Sequence, residues 1–279
     1  MRNILLLSLL LICFHTEAQT VTCSPLDKEA VISKIEQVQD LEKPDFGQTM
    51  VAIGKTFLKT PYVAKTLEIG ETETLVVNLQ GLDCTTFVEN VLAFSLMLKE
   101  DKTSFENFIE TLETIRYKDG YLDGYASRLH YFSEWIANNA KKGLLQDITG
   151  EIGGAEITKD INFMSEHRDL YPFLADDSNF EKIKASEKFL NSRPICVLAQ
   201  DQIAKNEHLI QSGDIIALAT SINGLDVTHT GITTREADGR IHLLHASTGS
   251  MEVEVSEKPL AEYLKKVKGN TGIMVARPL

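Results

Sequence analysis

Six short runs rich in apolar and β-branched residues fill the last third of the chain: ICVLA (195–199), DIIALAT (214–220), THTGITT (228–234), RIHLLHA (240–246), MEVEV (251–255) and GIMVA (272–276). Ser212-Gly213-Asp214, Asn223-Gly224 and Asp238-Gly239 punctuate them, and short runs joined by such turns predict an antiparallel meander. Ahead of them the apolar period lengthens to that of a helix. Leu26, Ala30, Val31, Ile35, Val38 and Leu41 predict a helix within 25–43, and another runs from Phe46 to Leu58 and stops before Pro61. LVVNLQ (75–80) reads as a strand. Phe105, Phe108, Ile109, Leu112 and Ile115 predict a helix behind a Thr103-x-x-Glu106 capping box. Helical patches around 127–143, 162–170 and 180–190 follow. Helices first and a sheet after them make the class α+β. No repeat and no Pro/Ser-rich linker marks a border, so 19–279 is expected to form a single domain, with a helical insertion at about 101–192 and the sheet at about 195–277.

Between the strand at 75–80 and the insertion lies GLDCTTFVENVLAFSLMLKE (81–100), with Phe87, Val88, Val91, Leu92, Ser95 and Leu98 at helical spacing. Asp83 is the expected N-cap, accepting from the N–H of Thr85 or Thr86, and Cys84 the first helical residue. A thiol there sits at the positive end of the helix dipole, which favours the thiolate. Taken alone, a cysteine is more often a small core residue. Two downstream histidines change the balance. His229, in GLDVTHTGI, precedes Gly231 on the same strand face, where the missing side chain leaves room for a substrate or another backbone. His245, in IHLLHAS, shares a face with Ile241 and Leu243, while His242 points the other way. Successive antiparallel strands can make His229 and His245 neighbours. A thiol, an imidazole that takes its proton and a third group that orients the imidazole are what amide cleavage by a cysteine needs.

Met1, Arg2 and the apolar run ILLLSLLLICF, closed by Thr16-Glu17-Ala18, read as a secretory leader over 1–18, too short to span a membrane. Export to the periplasm or beyond is therefore expected. Three cysteines follow the leader, Cys23, Cys84 and Cys196. The odd count leaves one thiol free or paired between chains; Cys84 is the expected free thiol, and pairing of Cys23 with Cys196 stays open. The net charge of −12 and the absence of any Lys/Arg run argue against nucleic acid and anionic membrane surfaces as partners.

GLDCTTFVE, SGDIIAL, THTGI and LLHAS, in that order, resemble the signatures of the NlpC-type family of cell-wall cysteine hydrolases. SRLHYF (127–132), the long insertion and GLDVTHTGI resemble the N-acetylmuramoyl-L-alanine amidase-like branch. The resemblance implies a papain-like fold, with the helix that bears the nucleophile packed on an antiparallel sheet. It also implies cleavage of the amide between N-acetylmuramic acid and L-alanine in a muropeptide or peptidoglycan fragment, with no cofactor and no metal. In those roles Cys84 is the nucleophile, His229 the base and His245 the orienting group, and Tyr62, in TPY (60–62), helps bind the oxyanion. Asp83, Thr85, Arg128 and His130 become candidate substrate contacts, Arg128 as a bidentate clamp on a carboxylate. Plainer readings stand beside these: Asp83 as a cap, Tyr62 as a wall, Arg128 as a solvated charge, His130 as a capped histidine. The nearest rival activity cuts the γ-D-glutamyl–diamino-acid link instead. A zinc site built on Cys84 and the two histidines lacks the short ligand spacings usual for one. A glycan-binding module without chemistry is the third alternative.

Overall fold

Helices hold most of the first two thirds and strands most of the last in the computed structural model, which describes residues 21–42 and 44–279. The leader read at 1–18 lies outside the described residues. The elements begin with β1 (Val21–Cys23), α1 (Pro25–Gln39), α2 (Phe46–Lys55), β2 (Leu75–Val77), α3 (Cys84–Lys99), α4 (Phe105–Arg116) and α5 (Phe132–Lys141). Then come β3 (Leu145–Asp147), β4 (Ala155–Ile157), α6 (Phe163–Glu166), α7 (Asp177–Leu190), β5 (Ile195–Ala199), α8 (Ile203–Asn206) and β6 (Ile215–Thr220). β7 (Val227–Arg235), β8 (Ile241–Ser247), β9 (Glu252–Val255), α9 (Leu260–Leu264) and β10 (Asn270–Pro278) complete them.

β6 to β9 pair antiparallel with their sequence neighbours, as a meander requires. The last strand departs from that expectation. β10 returns to lie between β5 and β6, giving the order β4-β5-β10-β6-β7-β8-β9. Its interior run Ile273–Ala276 is buried on both faces, so it reads as continuously apolar and satisfies its backbone groups only with a strand on each side. The insertion is not purely helical either, since β4 extends the sheet beside β5 and β3 pairs with β10. Of the run expected as a strand at 75–80, only Leu75–Val77 is one, and it pairs in parallel with β1, outside the large sheet. The α4 cap is Ser104 rather than Thr103: its hydroxyl accepts the Asn107 N–H at 3.1 Å. Cys23 on β1 and Cys196 on β5 are both free thiols, so the two do not pair.

α3 is the centre of the packing. Phe87, Val88, Val91, Leu92 and Phe94 are all buried, and each contributes about 1.5–3 kcal/mol by leaving water. Phe94 stacks on Phe108 of α4 with ring centroids 4.6 Å apart, and Phe87 meets Phe57 edge-on at 6.2 Å. Leu244, Ile232 and Ala217 bring the sheet into the same cluster. Gly54 lets α2 approach: a Cβ there would stand 2.7 Å from Leu244 Cδ2. A helix apolar on every side must be enclosed on every side. That enclosure fixes the N-terminus of α3 against β7.

Candidate active site

A reciprocal cap starts α3. The Thr86 N–H donates to Asp83 Oδ1 at 2.8 Å and the Asp83 N–H donates to Thr86 Oγ1 at 2.9 Å. Of the two N–H groups the sequence offers to the cap, Thr86 is the one used, and Cys84 is the first helical residue as its spacing predicts. Its thiol is free and half-buried. Thr230 of β7 anchors the helix start: its hydroxyl donates to the Cys84 carbonyl at 2.9 Å. His229 therefore enters the site one residue from the threonine that holds the cysteine.

The aim of His229 follows from a break in the ladder. β6 pairs Leu218 with His229 and then Ala219 with Val227, leaving Thr228 as an extra residue. A bulge of this kind bends a strand and re-aims its side chains. His229 Nε2 then lies 2.6 Å from His245 Nδ1, with the rings edge-on at 4.9 Å. The strand pairing expected to make these histidines neighbours is present. Gly231 serves the same junction, since a Cβ there would stand 2.9 Å from His245 Cβ and 2.8 Å from Leu243 Cδ1. Its missing side chain makes room for β8.

Burial sets the protonation states. It lowers His229 to about 4; burial and then His229 lower His245 to about 3. Burial, followed by the Asp83 carboxylate, pushes Cys84 from 9.0 up to about 11, against the hydrogen bonds from Thr230 and Thr85. The sequence argument that the helix end would favour the thiolate is outweighed. A helix dipole contributes about 0.3–1 kcal/mol near a surface, less than a factor of ten in ionisation, whereas 9.0 to about 11 is a hundredfold. At neutral pH these shifts leave Cys84 as a thiol and His229 and His245 as neutral imidazoles. Alkylation of Cys84 by iodoacetamide is expected to climb with pH from 7 toward 10; a rate already level at pH 6 would reveal a preformed thiolate–imidazolium pair instead.

Tyr62 stands beside the helix start, bridged to Leu82 and with its N–H donating to the Met251 carbonyl at 2.9 Å. Burial, then the charges of Cys84 and Asp83, raise its phenol to about 12, so it stays a hydrogen-bond donor at neutral pH. Arg128 does not have the solvated setting of the plain reading. It is buried, its Nη2 paired with Glu68, its Nε 3.1 Å from Glu73 Oε1 and its guanidinium 5.0 Å from the Tyr125 ring centre. A substrate carboxylate would have to displace partners that are already buried with it. His130 is likewise taken up internally: its Nε2 contacts the Tyr125 carbonyl at 2.8 Å and its ring packs on Tyr125 at 4.4 Å. Burial and then Arg128 hold it well below the usual histidine range.

Sequence reasoning passed over Thr230, Tyr263 and Glu254. Tyr263 meets His245 edge-on at 5.4 Å, and Glu254 Oε1 lies 3.8 Å from His245 Nε2. Glu254 could have been found from the alternation of MEVEV, had the β8–β9 register been known. A cleft of about 890 Å³ between α5, α7 and β5 includes none of Cys84, His229 and His245; Lys118 in its wall is paired with Glu134 and Ser186. Among the described residues no group of three or more His, Cys, Asp or Glu is placed to hold a metal ion, and no helix is long and apolar enough to cross a membrane.

Comparison with known proteins bears on the same region. Residues 52–273 match the model of the AmiA-like family, described as N-acetylmuramoyl-L-alanine amidase-like. A Bacteroides uniformis structure named an N-acetylmuramoyl-L-alanine amidase is 42% identical, covering 84% of this chain and 99% of its own with a TM-score of 0.80. A Bacteroides fragilis structure provisionally named a xylanase is 41% identical, covering 80% of this chain and 98% of its own with a TM-score of 0.76. A Legionella pneumophila protein at 22% identity shares the fold, with a TM-score of 0.67 over 91% of this chain and 95% of its own. No curated protein matches.

Proposed function

The chain belongs to the AmiA-like family of N-acetylmuramoyl-L-alanine amidase-like proteins, and from that premise we propose that it is an exported cysteine amidase of papain-like architecture. On this reading it hydrolyses the amide between N-acetylmuramic acid and L-alanine in peptidoglycan fragments. The observation that carries the chemistry is the His229–His245 contact of 2.6 Å on the strand whose Thr230 hydroxyl holds the carbonyl of Cys84 at the start of α3. His229 uses Nε2 toward His245, which leaves Nδ1 for the thiol. The Cys84 sulfur adds to the lactyl carbonyl carbon as its proton passes to His229 Nδ1, so a neutral resting pair is no obstacle. The oxyanion is met by the Tyr62 hydroxyl and by the Cys84 N–H, one of the helix-start groups without an intrahelical partner. Collapse breaks the C–N bond, His229 returns the proton to the leaving amine, and a thioester remains. Water, deprotonated by His229, cleaves it.

Glycoside hydrolysis, which the name of one neighbour suggests for that protein, calls for two carboxyl groups about 5–9.5 Å apart across the bond. The proposed centre is instead a thiol and two imidazoles, and Asp83 is engaged in its cap. The leader at 1–18 supports export. Digestion of defined muropeptides with mass analysis tests the reading: the expected products are a sugar stripped of its whole peptide and a peptide beginning with L-alanine. A sugar that retains a dipeptide would move the cut to the γ-D-glutamyl–diamino-acid link, and an uncut substrate would remove the amidase assignment.

A further inference from the structure

We propose that Glu254 is a positioning residue that selects the tautomers of His245 and His229 and so leaves His229 Nδ1 free to accept the thiol proton. The proposal rests on the cysteine-amidase reading above. His245 has no exposed side-chain surface, and with its Nδ1 taken by His229 its Nε2 is buried without a hydrogen-bond partner. Leaving such a group unpaired costs about 1–3 kcal/mol. Glu254 Oε1 lies 3.8 Å from it, on the residue directly opposite His245 in the β8–β9 register. A small rotation of that side chain, or one bridging water, completes the contact.

Two neutral imidazoles that share a 2.6 Å contact hold one proton between them, and only two arrangements exist. If His245 donates from Nδ1, its Nε2 is a bare acceptor facing a carboxylate oxygen, and His229 carries its proton on Nδ1, where it cannot take another. If His229 donates from Nε2, His245 carries its proton on Nε2 toward Glu254, and His229 Nδ1 is a free base. A carboxylate rejects the first and favours the second. When the thiol proton reaches His229, the imidazolium is stabilised through His245 by the Glu254 charge; Glu254 takes no proton. Tyr263 faces His245 from α9 and senses both Glu254 and Cys84. Lys59 senses Glu254 but is paired with Glu252 at 2.5 Å.

Imidazole ¹⁵N spectra of the full chain distinguish protonated from bare ring nitrogens and need no substrate. In the unaltered protein both His229 and His245 are expected to carry their proton on Nε2. In Glu254→Gln, whose amide can donate to a bare Nε2, a substantial fraction of His229 should carry it on Nδ1. kcat on muropeptide should fall roughly ten- to a hundredfold, on the scale of losing the outer hydrogen-bond partner of a metal-bound histidine, with KM unchanged and partial recovery in Glu254→Asp. The Glu254 side chain is 32% exposed, so the substitution leaves the fold intact, which the melting temperature verifies. Identical tautomers in the unaltered and Glu254→Gln proteins, or His229 protonated on Nδ1 from the outset, would overturn the proposal. Failure of the unaltered protein to cut muropeptides would instead overturn the amidase reading, with the spectra still deciding the role of Glu254.

Discussion

Replacing Cys84 by alanine is expected to reduce release of L-alanine-headed peptide by roughly 10⁵- to 10⁶-fold, the scale at which removal of a nucleophile exhausts a catalytic unit whose members act together. Folding should be spared. Position 84 is the first residue of α3 and half-buried, alanine is the strongest helix former, and the cap uses the Asp83 and Thr86 side chains rather than the thiol. What survives is binding and oxyanion stabilisation, so KM should move little. His229→Ala belongs to the same unit and should cost a comparable factor, and the double variant no more than either single one. Product mass spectrometry at matched protein concentration reads all three. Turnover by Cys84→Ala within tenfold of the unaltered protein would end the cysteine mechanism and leave the family membership without its proposed chemistry.

The parts legible in the sequence are those where local pattern and local chemistry agree. Asp83 before Cys84 and an apolar run behind it fixed the start of α3 to the residue, because a cap and a periodic stripe are both short-range signals. The two histidines were placed on successive strands by the turn at Asp238-Gly239. What stayed hidden depends on residues remote in sequence. Thr228 as a bulge, β10 returning between β5 and β6, and Glu254 opposite His245 are all matters of strand pairing between distant segments, which a local pattern of apolar residues does not specify. Arg128 shows the converse error. A lone arginine invites a solvated reading, and only the fold brings Glu68 and Glu73 to it. The thiol misled for a different reason: the sequence displays the helix end but not the burial that outweighs it.

Arg116→Met is expected to destabilise the protein by about 3–5 kcal/mol, the cost of removing one partner from a buried ion pair. Arg116, at the end of α4, donates from Nε to Glu89 Oε2 at 2.7 Å and from Nη1 to the Val76 carbonyl at 2.7 Å, and both charged side chains are only 2% exposed. One guanidinium thus ties α4 to β2 and to α3, the helix that presents Cys84. Methionine fills much of the volume but strands the Glu89 carboxylate in an apolar setting and frees a strand carbonyl. For a chain of this size the loss lowers Tm by on the order of 10 °C. Glu89→Leu combined with Arg116→Met removes both charges and should regain most of the loss, retaining about 1 kcal/mol for the unpaired Val76 carbonyl. Calorimetry of the two variants separates this account from simple loss of packing. If the double variant melts as low as the single one, the damage lies in the shape of the arginine and not in the charge left behind.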